Sequence, residues 1–321
     1  MKSLELSIVN LFMWGGKSSY SGGPNDTTII KCDGYTFKFK QYDIHLKHKD
    51  FENERKVTTH VEVQYTEETQ IPQIFEIIDD ICYLLSFAQQ SYVRCETFAL
   101  NSTQSRPHSD VQTMRAQKNI IDMHGLEICN FIEETYPTFK KLKSSRQLTV
   151  VFDYLCEANR ANLATEASLI LHYVIIENLK HTYAQVNGFN KRNGTKFSHP
   201  SYPDLEKEPG DIENYKEITE KKKKLYRHIK YGECGSNEMI KRAFEDIGIS
   251  RTITDAIVDK RNKIIHEGLL LPLNDSQYSK QAREDKNEAS NLIREYLLTL
   301  LNYKGTYWLS HDRIGPSGLI D

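Results

Sequence analysis

Near residue 70 the hydrophobic pattern changes its period, and with it the secondary structure that the chain can form. Ahead of this point Tyr35, Phe37 and Phe39 alternate with Thr36, Lys38 and Lys40, and Val57, Thr59, Val61, Val63 and Tyr65 alternate with Thr58, His60, Glu62 and Gln64. Alternation sends successive side chains to opposite faces, so these runs predict strands with one face buried. The phase slips at Lys40-Gln41, after which Tyr42, Ile44 and Leu46 continue in the other phase, the mark of a bulge or a turn. An earlier strand over residues 4–8 is followed by Gly15-Gly16 and a turn-forming stretch over 18–24. The expectation is a small antiparallel sheet of about four or five strands.

After Pro72 the apolar residues Phe75, Ile78, Ile81, Cys82, Leu85 and Ala88 recur at steps of three and four, with Ile74, Ile77 and Leu84 added. This predicts a long helix buried around most of its circumference. Similar spacing predicts helices over 117–144, 147–160, 163–183, 214–230, 236–247, 252–267 and 283–302, with a loop over 186–213. The fold class is therefore α+β: a β-rich N-terminal domain over 1–70, connecting long helices over 71–146, and a helical bundle with a C-terminal tail over 147–321. There is no internal repeat.

Composition narrows the function classes. The 42 Lys and Arg nearly balance the 44 Asp and Glu, which excludes a uniformly basic nucleic-acid binder and leaves any polyanion to be met by a local patch. The six cysteines form no C-x-x-C pair, which argues against a zinc ribbon or a thioredoxin-type site and for a reducing compartment. The apolar stretch at residues 8–14 is too short for a signal-peptide core, and no run approaches the roughly 18 apolar residues of a membrane span. A cytoplasmic protein with no membrane association is expected. Nucleotide-binding and hydrolase signatures of the G-x-x-x-x-G-K-[ST], G-x-G-x-x-G and G-x-S-x-G types are absent from the sequence.

One predicted helix carries a constellation suited to chemistry. Its start is marked by Thr252-Ile253-Thr254-Asp255, similar to a capping box, and its end by Gly268. Between them stand Arg261, Asn262 and His266. At about 100° per residue, Ile265 falls near 40° from Arg261, Asn262 near 100° and His266 near 140°, so all four share one broad face. A histidine whose ordinary pKa is about 6.5 can take a proton from a ribose 2′-hydroxyl or return one to a leaving oxygen. A guanidinium can clamp phosphate oxygens, and Asn262 can orient either group. Since each chain supplies one such set, two chains meeting across a two-fold axis would complete acid, base and clamps.

The run Arg261, Asn262, a three-residue spacer and His266, followed by Glu267-Gly268, resembles the motif of the HEPN superfamily. The resemblance implies an up-and-down bundle over roughly residues 147–303 that dimerises around a cleft. It further implies that the dimer cuts RNA without a metal or other cofactor, as a toxin or an antiviral effector of the abortive-infection kind. Arg261 and His266 would be catalytic and Asn262 supportive. Partners would be RNA, a second copy of the chain, and an antitoxin or a phage or host protein as trigger, with the N-terminal sheet as a possible sensor. Two other readings stand beside it. The same helix face can serve a non-catalytic HEPN-like module that binds RNA or protein. Alternatively, Arg261 and His266 can simply complement the helix dipole, with Arg261 paired to Glu177, the acidic residue of an otherwise apolar stretch.

A second feature is basic. Over residues 216–230 seven Lys or Arg face two Glu, a local charge of +5, and within it Lys221, Lys222, Lys223, Lys224, Tyr226 and Arg227 form a candidate RNA-binding run. Residues 201–215 carry five acids against one lysine, which can neutralise it. His45 and His48, with Asp43 nearby, point to opposite faces of a strand and so do not converge on a metal. Asp79-Asp80 would need further ligands for a metal pair, and the tail from Tyr307 to Arg313 is expected to dock on the bundle.

Overall fold

The predicted strands pair into a larger sheet than the alternation alone delimits. The computed structural model describes residues 1–13, 27–41, 57–100, 102–105, 119–160, 163–192, 196–198, 234–267, 276–309 and 312–314. Within these, β1 (Lys2–Val9), β2 (Thr27–Cys32), β3 (Tyr35–Gln41), β4 (Val57–Tyr65), β5 (Arg94–Leu100) and β6 (Ser102–Ser105) form one antiparallel sheet in the order β2-β3-β4-β1-β5-β6. The register sets Leu6 opposite Val61 and Phe37 opposite Val63, so that Leu4, Leu6, Ile30, Phe37, Phe39, Val61 and Val63 share a buried face. The other face is polar: Lys38 lies opposite Glu62, at 3.9 Å. A register shift between Ile8 and Val9 exchanges the expected faces at the start of β4, where Val57 is exposed and Thr58 is buried. The Thr58 hydroxyl is satisfied there by the Leu11 N–H at 3.0 Å. Asp33 and Gly34, both at positive φ, make the β2–β3 hairpin turn.

The sheet does not end at residue 70, nor are residues 71–146 only connecting helices. The helix α1 (Ile71–Gln89) stops at Gln90, a left-handed residue, and β5 then returns to pair with β1. A further register shift between Ser7 and Ile8 breaks the period-two signal of β5. The next helix, α2 (Gly125–Leu142), begins at 125 rather than 117 and packs on β2. Lys140 at 2.5 Å and the Tyr136 hydroxyl at 3.0 Å both reach the Asp33 carboxylate, and the Lys140 hydrogen bond holds that carboxyl below its ordinary range.

As expected, α1 is buried on nearly all sides, between the sheet and α3 (Leu148–Ala158), where Phe87 stacks on Phe152 at 4.8 Å. A single apolar core runs from Leu4 of the sheet to Tyr303 beyond the last helix. Asp80 of α1 is an ion-pair partner within that core: both its oxygens take Lys143 Nζ, at 2.9 and 3.0 Å. Burial nonetheless raises its pKa. Among the described residues no group of three or more His, Cys, Asp or Glu comes together as a metal-ligand set.

The remaining helices are α4 (Thr165–Val186), α5 (Ser236–Glu245), α6 (Arg251–Glu267) and α7 (Ser276–Leu300). α4 runs antiparallel to α3, fixed at one end by Ser168 Oγ donating to Ala158 O at 2.5 Å and at the other by Asn178 Nδ2 donating to Gln147 Oε1 at 2.8 Å. The expected loop after α4 instead contributes β7 (Asn190–Arg192) and β8 (Lys196–Ser198), which pair with each other, and β8 pairs in turn with β9 (Cys234–Gly235). The tail folds back, but its Trp308 N–H reaches Ile120 O at 2.8 Å, in the segment ahead of α2 and outside the bundle on which it was expected to dock; there β10 (Tyr307–Leu309) pairs with β11 (Asp312–Ile314). Among the described residues no helix is long and apolar enough to cross a membrane. The predicted helix over 214–230, the phase slip after Gln41, and His45 and His48 lie outside the described residues.

One buried group makes the helical part sensitive to acid. His172 of α4 is fully buried; its Nδ1 lies 2.7 Å from Ser168 O, which assigns the proton to Nδ1 of a neutral ring. Burial, reinforced by Lys286 and Arg294 of α7, lowers its pKa to about 4. A depressed folded-state pKa gives stability that is present above the unfolded value near 6.5 and lost as pH falls towards 4. Between pH 7.5 and 5 the loss is about 2 kcal/mol. Unfolding free energies from urea titrations of the wild type and of His172→Gln check this: between these pH values the wild type loses this much more than the variant, and equal losses contradict the assignment.

Candidate functional site

The motif helix is held mainly by charge. α6 buries Thr254, Ile257 and Val258, a narrow stripe, and leaves Ile253 half exposed. Around this stripe Asp255 pairs with Lys241 of α5 at 2.6 Å, Arg251 pairs with Glu238 of α5, and Lys260 reaches Asp285 and Glu288 of α7 at 2.7 and 2.6 Å. The helix begins at Arg251, so the expected box at Thr252-Ile253-Thr254-Asp255 does not cap it. Thr254 instead donates to Arg251 O at 2.9 Å, and Asp255 is drawn off to Lys241.

Arg261 closes the ring of ion pairs towards α4. Its side chain is 11% exposed, and Nη2 stands 2.7 Å from Glu177 Oε1, a Coulombic contact that lacks the alignment of a hydrogen bond. Nη1 donates to Asn262 Oδ1 at 2.8 Å and to Asn237 Oδ1 at 3.5 Å, while the buried Nε has no partner among the described residues. The other Glu177 oxygen takes Lys180, one turn further along α4 and almost fully buried, and Lys180 Nζ also reaches Ser236 Oγ at 2.6 Å. One carboxylate thus sits between two cations. Burial lowers the Lys180 pKa against the pull of Glu177, with Arg261 and Lys191 acting in the same direction as burial. Burial, with Lys180 and Lys191, also lowers that of His181, whose ring lies 5.7 Å from Phe197. The surroundings are biased towards positive charge, the sign that suits a phosphate.

The structure therefore brings Arg261, Asn262 and Glu177 together. His266 lies on the same helix by its backbone, five residues after Arg261, while its side chain falls outside the described residues. Lys221, Lys222, Lys223, Lys224, Tyr226 and Arg227 also lie outside them. The sequence reading missed Lys180, Ser236 and Asn237. Lys180 was accessible as the cation three residues after Glu177, but nothing local marks Ser236 and Asn237, which arrive from the start of α5, more than fifty residues along the chain from Lys180.

Next to this site lies an apolar surface. With α3 and α4 fixed at both ends by the hydrogen bonds above, Val150 and Tyr154 of α3 stand beside Val174 and Ile170 of α4, and all four are exposed by 38 to 41%. Ile170 and Val174 continue along α4 towards Glu177 at helical spacing.

No protein-family model matches this chain significantly, nor does any curated protein or solved structure.

Proposed function

We propose that the chain is a homodimeric endoribonuclease of HEPN type, in which Arg261, Asn262 and His266 of two copies form one composite site. The observation that carries this reading is the braced Arg261: a guanidinium oriented by Glu177 and Asn262, in positively biased surroundings, with a histidine further along the same helix. In the reaction an imidazole removes the ribose 2′-hydroxyl proton and O2′ bonds to phosphorus. The P–O5′ bond then breaks as the leaving oxygen gains a proton. Arg261 stabilises the charge that develops on the phosphoryl oxygens. The products are a 2′,3′-cyclic phosphate and a 5′-hydroxyl, and no step requires a metal. The basic run at Lys221, Lys222, Lys223, Lys224, Tyr226 and Arg227 guides the RNA backbone. A toxin or antiviral effector, triggered or restrained by another protein, is the corresponding biological role.

The apolar surface of Val150, Tyr154, Ile170 and Val174 supports the dimer, because it lies beside the site that a second copy must complete. Cleavage rate per chain, measured against chain concentration, therefore rises through the dimer dissociation constant. Val174→Glu moves that rise to higher concentration by about tenfold or more. A rate per chain that is independent of concentration, from a chain that sediments as a monomer, overturns the composite site.

The close Arg261–Glu177 pair also favours a second reading, in which Arg261 is spent on joining α6 to α4 and the face only binds RNA or protein. It predicts tight RNA binding without cutting, unaffected by His266→Ala.

A further inference from the structure

The face that α7 turns towards α4 holds positive charge with no anion against it among the described residues. Lys286, Ser290 and Arg294 follow one another at intervals of four residues and so form a stripe along one side of the helix. Arg294 is 7% exposed; its Nη2 donates to Gln90 Oε1 at 3.3 Å, but that neutral oxygen is already taken by Asn159 Nδ2 at 2.6 Å. The Arg294 Nε, the Ser290 Oγ and, across from them on α4, the His172 Nε2 are all buried without a partner. Lys286 is half-buried at the end of the stripe and makes no ion pair among the described residues. The nearby acids of α7 do not compensate: Asp285 and Glu288 are both committed to Lys260 of α6. Glu295 projects about 100° away from its neighbour Arg294.

A guanidinium removed from water without a counter-charge costs several kcal/mol, so an arrangement of this kind calls for an anion. We propose that Lys286, Ser290 and Arg294 of α7 bind a phosphate group between the two helices, with the Nε2 of His172 on α4 accepting from its P–OH. The hydrogen-bonding set decides the class. The ammonium, the hydroxyl and the guanidinium Nε donate to the oxygens of an anion, while the His172 Nε2, whose ring carries its proton on Nδ1, can only accept; a singly protonated phosphate offers both oxygens to the donors and a P–OH to that nitrogen, whereas a carboxylate has no O–H to give it. The half-buried Lys286 leads from solvent to the stripe. Burial alone brings the Arg294 pKa down to about 10, which agrees with the lack of a carboxylate beside it among the described residues. The site is distinct from Arg261, whose guanidinium already has Glu177, and does not depend on the nuclease reading.

The test is thermal unfolding of the full chain in EDTA at fixed ionic strength, with inorganic phosphate, adenosine monophosphate or acetate added. Phosphate is expected to raise the wild-type Tm by about 3 to 5 °C at saturating concentration, and acetate to leave it unchanged. A shift with adenosine monophosphate but not with free phosphate would assign the site to the phosphate end of a nucleotide and equally supports it. Arg294→Met keeps the length of the side chain, removes the unpaired charge and is expected to weaken the anion response about tenfold or more. Ser290→Ala and Lys286→Met are expected to weaken it in the same direction, and they decide the matter should Arg294→Met fail to fold. No stabilisation by either phosphate compound, or the same response in the wild type and these variants, overturns the proposal.

Discussion

On the proposed mechanism, replacing His266 by alanine is expected to lower the rate of RNA cleavage by about 10² to 10⁴-fold, the usual contribution of a positioned general acid or base, and to leave the melting temperature within a degree or two of the wild type. The expected size follows from the proposed role. The imidazole acts on the 2′-hydroxyl or on the leaving oxygen, so its loss removes proton transfer and leaves Arg261 and the RNA contacts in place. The rate separates the two functional readings, since only a catalytic His266 changes it, and unchanged affinity in the variant shows that the loss is not one of RNA binding. Single-turnover cleavage and filter binding on the same preparations measure both. An unchanged rate in His266→Ala removes the residue from the mechanism.

Glu177→Ala is expected to destabilise the chain by about 3 kcal/mol, because it leaves Lys180 buried, and Arg261 nearly so, without their shared carboxylate. Glu177→Gln keeps the shape and some hydrogen bonding, so its loss is smaller, and Lys180→Met in the Glu177→Ala background restores part of the stability by removing a stranded charge. Denaturant midpoints measure all three. If Glu177→Ala unfolds no earlier than the wild type, the carboxylate does not fasten α6 to α4. Arg261→Ala in the same series distinguishes the roles of the arginine: a lost rate with a small change in midpoint fits a phosphate clamp, whereas a midpoint shift as large as that of Glu177→Ala fits a purely structural pair.

The parts of the fold that were legible in the sequence were those with uninterrupted period. Phe37 and Phe39 against Lys38 and Lys40 defined β3, and the dense apolar series from Ile74 to Ala88 defined a helix buried on nearly every side. Where a bulge shifts the register, the signal fails: Thr58 was placed on the polar face but is buried, and β5 was not recognised as a strand. The boundary drawn at residue 70 failed for a related reason. α1 ends at Gln90, a left-handed residue that is not glycine, so no common stop signal announces the return of the chain to the sheet.

At the site, the pairing of Arg261 with Glu177 was legible because a lone carboxylate in an apolar helix needs a cation. The contributions of Ser236 and Asn237 were not, since they depend on how α5 packs against α4. The capping pattern ahead of α6 misled for a physical reason: Asp255 gains more from the ammonium of Lys241 than from the backbone of its own helix. The ring of ion pairs around α6 has a consequence for conditions. With Lys241, Glu238, Asp285, Glu288 and Glu177 holding a helix that has few apolar contacts, the attachment of α6 weakens with salt more than that of α1. Hydrogen exchange at low and high salt, compared between the two helices, measures this directly; equal salt dependence contradicts it.

The most direct test of the central claim is the chemistry of the RNA ends left by the purified chain in excess EDTA, with His266→Ala as the control for contaminating nucleases. The account predicts fragments that end in 2′,3′-cyclic phosphate and begin with a 5′-hydroxyl from the wild type, and none from the variant. Cleavage abolished by EDTA, fragments ending in a 3′-hydroxyl, or equal cutting by the two proteins would contradict it.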